Sequence, residues 1–336
     1  MNVTIKDVAE RAGVAPSTVS RVLSDSKSIS DKTKEKVRKA MAELHYYPNL
    51  TARSLVSKRS KVIGLVLPQA SDAFYQNPFF PTVLRGINEV AAENGFSLLL
   101  NTGNGDQERL RHIQRMVNGR LVDGLIFLYA IEDDPIINFV RQSATPFVII
   151  GQATDWQTNF VDNNNVDLGL LATQYLIDQG KKNIAFIGSA YPQIFVKSRY
   201  QGYQKAHEAS HLEANPDWIF RPDQFLVKNG FEMAREVAAI PEIDAAVIVD
   251  QLVARGFKEG VRYVCPDRQI AAMTFKPYRS DFSQSIHQAY ININAIELGK
   301  RAFQVLFDAL NDQHSDQEIR YYHEIVKAEL VQGNAD

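Results

Sequence analysis

The chain has 336 residues, 45% of them hydrophobic and 23% charged, with a net charge of −2 and one cysteine, Cys265. That composition leaves room for two or three domains and excludes a disulfide scaffold, a low-complexity filament and a bundle of membrane-spanning helices. Residues 1–60 hold 12 Lys and Arg against six Asp and Glu, a balance of +6, whereas the remainder holds 25 against 33, a balance of −8. A basic head on an acidic body suits a polyanionic partner for the head alone. The first residues carry no apolar leader and the single thiol needs no oxidising compartment, so a cytoplasmic, nucleoid-associated protein is expected.

Thr4 has the character of an N-cap, Asp7 lies in the first turn after it, and Val8, Ala9 and Ala12 share one face. This predicts a short helix ending at Gly13, which takes a left-handed conformation without strain. Pro16 opens a second helix, with Val19, Val22 and Leu23 facing one way and Ser17, Ser20, Arg21 and Ser24 the other. Three hydroxyls and a guanidinium on one stripe of short side chains fit a helix lying in the major groove of DNA. A small solvated helix pair is the competing reading. A third helix is expected from about Ser30 to Leu44, with Val37, Ala40, Met41 and Leu44 inward. Asn49 to Ser57 has the length of about two helical turns, too short to persist alone in water. With Arg53, Lys58, Arg59 and Lys61 around it, it reads either as a hinge that folds against the DNA backbone or as a flexible linker.

From Lys61 onward the pattern changes. Val62 to Leu67 is a nearly continuous apolar run, as in a strand buried on both faces. Helix and strand signals then alternate through Phe80–Asn94, Phe96–Leu100, Asp106–Asn118, Asp123–Leu128, Phe147–Ile150, Leu168–Gln179, Asn183–Ile187, Arg199–Ala209, Ala245–Val249 and Ile270–Phe275. Such alternation means open parallel sheets built from βαβ units, and the length calls for two lobes. The expected fold is a small all-α helix-turn-helix head (1–48), a hinge (49–60) and a two-lobed α/β body (61–336). The lobes would meet near Asp162, about 61–161 and 162–291, with a late helix near Asn292–Leu310 crossing back.

Ligands of such bodies sit beyond the carboxyl ends of strands, in the cleft between lobes. Gln69–Phe80, Tyr129, Gln152, Tyr191–Arg199, Asp250 and Lys276 are therefore nominated. An enzyme would need a nucleophile with its base, a metal cluster or a phosphate loop. The seven His are scattered, Gly103-Asn104-Gly105 is too little for a phosphate cradle, and Glu132-Asp133-Asp134 reads as a solvated loop. No cofactor or metal is expected. A transport protein that binds sugars would share the two lobes, but not the basic helix pair.

The opening resembles the DNA-binding head of the lactose-repressor (LacI/GalR) family. The likeness runs through Thr4–Val14, Ser17–Leu23 and Ser30–Leu55, then Asn77-Pro78-Phe79-Phe80, Leu84–Ile87, Asp123–Ile126, Ile184–Gly188 and Arg199–Tyr203. Gln76–Pro81 and Val161–Asn165 look most like repressors of maltose or maltodextrin operons. The resemblance implies a homodimeric repressor with a periplasmic-binding-protein-like body, double-stranded operator DNA as partner and a small sugar-like molecule as effector. It implies that Ser17 and Arg21 read bases with Pro16 and Ser20 beside them, and that Thr4, Thr18 and Asn49 hold phosphates. Ala52 and Leu55 would belong to a hinge helix in the minor groove. Effector contacts would fall on Phe79, Phe80, Arg199 and Asp250, with Phe225 packing on a sugar face. Where the family has a carboxylate or amide, this chain has Lys276 after Thr274-Phe275. An acidic or phosphorylated effector, or a Lys276–Asp250 pair, therefore stays open beside a neutral sugar.

Overall fold

The computed structural model describes residues 3–23, 26, 28–46, 59–68, 72–103, 105–153, 155–191, 193–279, 289–312 and 320–332. The chain divides into two compact units, Met1–Ser60 and Lys61–Asp336.

In the first unit, α1 (Ile5–Ala12), α2 (Pro16–Leu23) and α3 (Asp31–Glu43) bury Val8, Ala9, Ala12, Val19, Val22, Val37 and Ala40 in one core. The expected caps are present. Asp7 accepts from the backbone N–H of Thr4 at 2.7 Å and from its hydroxyl at 2.8 Å, and Ser30 accepts from the Thr33 N–H at 3.4 Å. Gly13 turns the chain between α1 and α2 with φ of 59°.

The second unit holds two six-stranded sheets. Its elements run β1 (Val62–Val66), α4 (Asp72–Gln76), α5 (Phe79–Glu93), β2 (Ser97–Asn101), α6 (Asp106–Asn118), β3 (Gly124–Phe127), α7 (Pro135–Gln142), β4 (Phe147–Ile150) and β5 (Asn159–Asp162). There follow α8 (Asn165–Asp178), β6 (Ile184–Ile187), α9 (Ile194–Ala209), β7 (Ile219–Phe220), α10 (Val227–Ala238), β8 (Ala245–Ile248), α11 (Gln251–Val264) and β9 (Ala271–Lys276). Last come β10 (Ala289–Asn292), α12 (Ala295–Asp312), β11 (His323–Ile325) and β12 (Glu329–Gln332). One sheet has the order β11-β5-β4-β3-β1-β2 and the other β12-β10-β9-β8-β6-β7. All pairs are parallel except β10 with β12.

Each sheet is apolar on both faces because each face has its own layer of helices. Ile63, Leu65 and Ile126 pack under α5 and α12, while Val66, Leu125 and Phe127 pack under α6 and α7. In the other lobe Ile184, Phe186 and Val247 meet α8 and α9, and Ala185, Ile187 and Ile248 meet α10 and α11. The chain crosses between lobes three times, after β5, β10 and β11. Asn163, at the first crossing, donates from Nδ2 to Ile293 O of the second at 3.2 Å and to Val326 O of the third at 2.9 Å. One amide thus ties all three connections. No helix among the described residues is long and apolar enough to cross a membrane.

Helices α8 and α9 approach closely enough that a Cβ on Gly202 would lie 2.0 Å from Val166 O. Gly202→Ala should force the helices apart and lower unfolding free energy by ~1–3 kcal/mol, the usual cost of overpacking. Urea unfolding followed by circular dichroism checks this.

Candidate functional site

A cavity of about 230 Å³ lies between the two lobes of the second unit. Its wall comes from the carboxyl ends of the strands and the helices that follow, the place an open parallel sheet leaves for ligands. At roughly 30 Å³ per water it has room for several solvent molecules, more than a packing defect needs and enough for a small ligand. Phe79 and Phe80 line it from α5, Phe74 from α4, Phe195 from α9, Phe275 from β9, and Phe225 and Tyr129 from loops. The ring centroids of Phe79 and Phe80 are 5.4 Å apart at 80°, an edge-to-face pair that leaves ring faces free for other contacts.

The polar part of the wall is organised by Arg199, which is 4% exposed. Its Nε donates to Asn165 Oδ1 at 2.9 Å and its Nη1 to Val249 O at 2.8 Å, while its guanidinium lies 3.8 Å from the Phe275 ring centroid. Asn165 in turn donates to both oxygens of Asp162, at 3.0 and 2.9 Å. Burial pushes the carboxyls of Asp162 and Asp250 up to about 6, against the opposing pull of Arg199, and pulls Arg199 down to about 9. All three remain mainly charged at neutral pH. Asp250 caps α11, accepting from the Leu252 N–H at 2.7 Å and the Val253 N–H at 3.2 Å, and also accepts from Asn77 Nδ2 at 2.7 Å. The Tyr129 hydroxyl accepts from the buried Arg109, and burial together with Asp134 raises its pKa.

Of the residues nominated for the effector, the structure brings Phe79, Phe80, Tyr129, Arg199, Phe225 and Asp250 onto one wall. Lys276 is not on it. Strand parity sends Phe275 and Pro277 to the cavity and Lys276 the other way, where its Nζ lies 4.2 Å from the Tyr290 ring centroid and burial lowers its pKa. The expectation of a cation facing the ligand at this position is therefore corrected. The charged partner of Asp250 within the cavity is Arg199. Asp162, Asn165 and Gln251 belong to the wall and were not nominated. Gln193 Oε1 and Gln251 Nε2 are buried without a hydrogen-bond partner, groups a polar ligand would satisfy. The run Val161–Asn165 was visible only as a family likeness, since its role depends on contacts far along the chain.

In the first unit, Thr4, Pro16, Ser17, Ser20 and Arg21 are exposed and Thr18 is half-buried. Ser17, Ser20 and Arg21 share the face of α2 opposite Val19 and Val22. Asn49, Ala52 and Leu55, with the expected hinge, lie outside the described residues.

Because Asp162 and Asp250 titrate above the ordinary value of 3.8, the folded chain binds their protons more readily than the unfolded chain. Their contribution to stability is present at acid pH and is lost as pH rises through about 6. Arg199→Met removes the cation that offsets this, driving both carboxyls further up. The substitution should cost ~3–5 kcal/mol near neutrality and clearly less at acid pH. Denaturant midpoints of both proteins, measured across that range, check the trend.

Residues 4–49 match the description "Bacterial regulatory proteins, lacI family", and residues 60–262 match "Periplasmic binding proteins and sugar binding domain of LacI family". The HTH-type transcriptional regulator MalR of Streptococcus pneumoniae is 44% identical over 96% of this chain and 97% of its own length. A transcriptional regulator CelR–cellobiose complex has a TM-score of 0.73 at 25% identity, covering 99% of this chain and 100% of its own. The lac repressor dimer bound to operator and the anti-inducer ONPF has a TM-score of 0.80 at 22% identity, covering 99% of this chain and 98% of its own, a likeness of fold. With a basic helix-turn-helix unit, a two-lobed body around a buried ligand-sized cavity, and these matches over nearly its whole length, the chain belongs to the lacI family of bacterial regulatory proteins and is a DNA-binding transcriptional regulator.

Proposed function

We propose that this regulator represses a maltose or maltodextrin utilisation operon and that a neutral sugar in the cavity controls it. The observation that carries the reading is the charge of the wall: two carboxylates, Asp162 and Asp250, stand against the single guanidinium of Arg199. A phosphorylated or acidic ligand would meet a net negative charge there, whereas sugar hydroxyls both donate and accept. Aromatic rings on the remaining wall suit the apolar faces of a sugar ring. The MalR name of the Streptococcus relative and the cellobiose of the CelR complex support the same class. No turnover of the sugar is expected, and no cofactor.

In this reading residues 1–48 form the DNA-binding head, 49–60 the hinge and 61–336 the effector body, and the working species is a cytoplasmic homodimer on a two-fold operator. One head contacts few base pairs, so two are needed for useful specificity. Ser17 and Arg21 read base edges beside Pro16 and Ser20; Thr4, Thr18 and Asn49 hold phosphates; Ala52 and Leu55 enter the minor groove, with Leu55 a wedge between base steps.

Two measurements test this. Calorimetric titration should detect maltose or a short maltodextrin and no binding of their phosphorylated forms; the reverse preference refutes the neutral-sugar reading. Arg21→Ala should weaken binding to a duplex selected from random sequence by ~1–3 kcal/mol while relaxing base preference at one position. A uniform loss across all sequences would assign Arg21 to the phosphates instead.

A further inference from the structure

Asp250 and Asn77 are 173 positions apart, both 8% exposed, and joined by a 2.7 Å hydrogen bond across the cavity from one lobe to the other. Each is also fastened to its own lobe. Asn77 Oδ1 accepts from the Phe79 N–H at 2.9 Å at the start of α5, and Asp250 Oδ1 accepts from the first N–H groups of α11. With Oδ1 engaged as an acceptor, the Asn77 amide can present only Nδ2 to the carboxylate, so its orientation follows from its partners. Among the described residues, and apart from the crossovers, this is the buried side-chain hydrogen bond linking the lobes. The ion pair Lys197–Glu132, at 3.0 Å, also links them, but both side chains face solvent and such pairs hold little.

We infer that Asn77 is a positioning residue whose hydrogen bond to Asp250 latches the two lobes together, so that Asp250 controls closure instead of serving first as an effector ligand. One oxygen of the carboxylate belongs to a helix of its own lobe and the other to a residue of the opposite lobe. Neither oxygen is left for a sugar hydroxyl unless the hydroxyl shares or replaces Asn77. A ligand that bridges the lobes then competes with the latch or reinforces it, and either outcome converts occupancy into lobe angle. An equilibrium between closed and open lobes is biased only by groups that differ in contact between the two states, and this pair makes its bond in one of them. The charged groups facing the pair are Arg199 of α9 and, beyond it, Asp162 of β5. The inference rests on the sugar reading only for the choice of probe.

Asn77→Asp tests it with little change of shape. The variant keeps the acceptor that caps α5 but sets a second carboxylate against Asp250, and like charges at that distance repel. Small-angle X-ray scattering from the ligand-free full-length variant should show a larger radius of gyration than the parent at pH 7.5, and the parent value at pH 5, where one shared proton restores a donor. Maltose affinity of the variant should be at least about five-fold weaker at the higher pH, the lower end of ordinary allosteric coupling. Unchanged scattering at both pH values overturns the latch, as does an expansion that acid does not reverse. Failure of maltose to bind the parent protein counts against the sugar reading, and the scattering then decides the latch alone. Asn77→Ala, which loses the cap as well, should expand the protein at both pH values; a compact Asn77→Ala variant contradicts the inference.

Discussion

A guanidinium taken out of water needs compensation from every side, and the buried Arg199 receives it from all of its surroundings at once. Its hydrogen bonds reach α8 through Asn165 and the end of β8 through Val249, its face lies on Phe275 of β9, and its charge is balanced by Asp162 and Asp250. These partners sit on different strands and helices. They are held in one place only when both sheets are formed and the lobes are joined. The same group therefore fixes the shape of the cavity and sets its charge, and it makes the site a property of the folded body as a whole.

Around it the body is a machine with few connections between its halves. Three crossovers are drawn together by Asn163, whose two amide hydrogens serve the carbonyls of Ile293 and Val326. An antiparallel bridge between Ile131 and Gln193 adds a contact at the rim. Among the described residues, the Lys197–Glu132 ion pair also links the lobes at the surface, and the Asn77–Asp250 hydrogen bond links them on the cavity wall. Two rigid sheets, each sandwiched between helices, and a narrow tie leave rotation about the crossovers as the soft motion, as in hinge closure of binding proteins generally.

Much of this was legible in the residues. Gly13, Pro16 and the spacing of Val8, Ala12, Val19 and Val22 point to a helix pair by local rules, and the apolar run at Val62 reads as a strand covered on both faces. The likeness at Arg199–Tyr203 brought the central guanidinium forward. Strands of two to four residues such as β7, β11 and β12 were too short to show a period, and α10 and α11 went unread among the loops after strands. Lys276 misled because strand parity is invisible until the neighbouring elements show which face meets the cavity. Asp162 and Asn165 matter through contacts with Arg199, more than 30 positions away, and the Asn77–Asp250 bond spans half the chain. Spacing along the sequence reports what is local; the charge balance of the cavity is assembled from distant parts.

In the proposed function, occupancy of the cavity and grip on DNA are one thermodynamic system. Fluorescence anisotropy of a selected operator duplex, titrated with the full-length protein at fixed salt with and without saturating maltose, tests it directly. Operator affinity should be at least about five-fold weaker with the sugar, and maltose affinity should weaken by the same factor when operator is bound, because coupling between sites is reciprocal. Calorimetrically verified maltose binding that leaves operator affinity unchanged would contradict it.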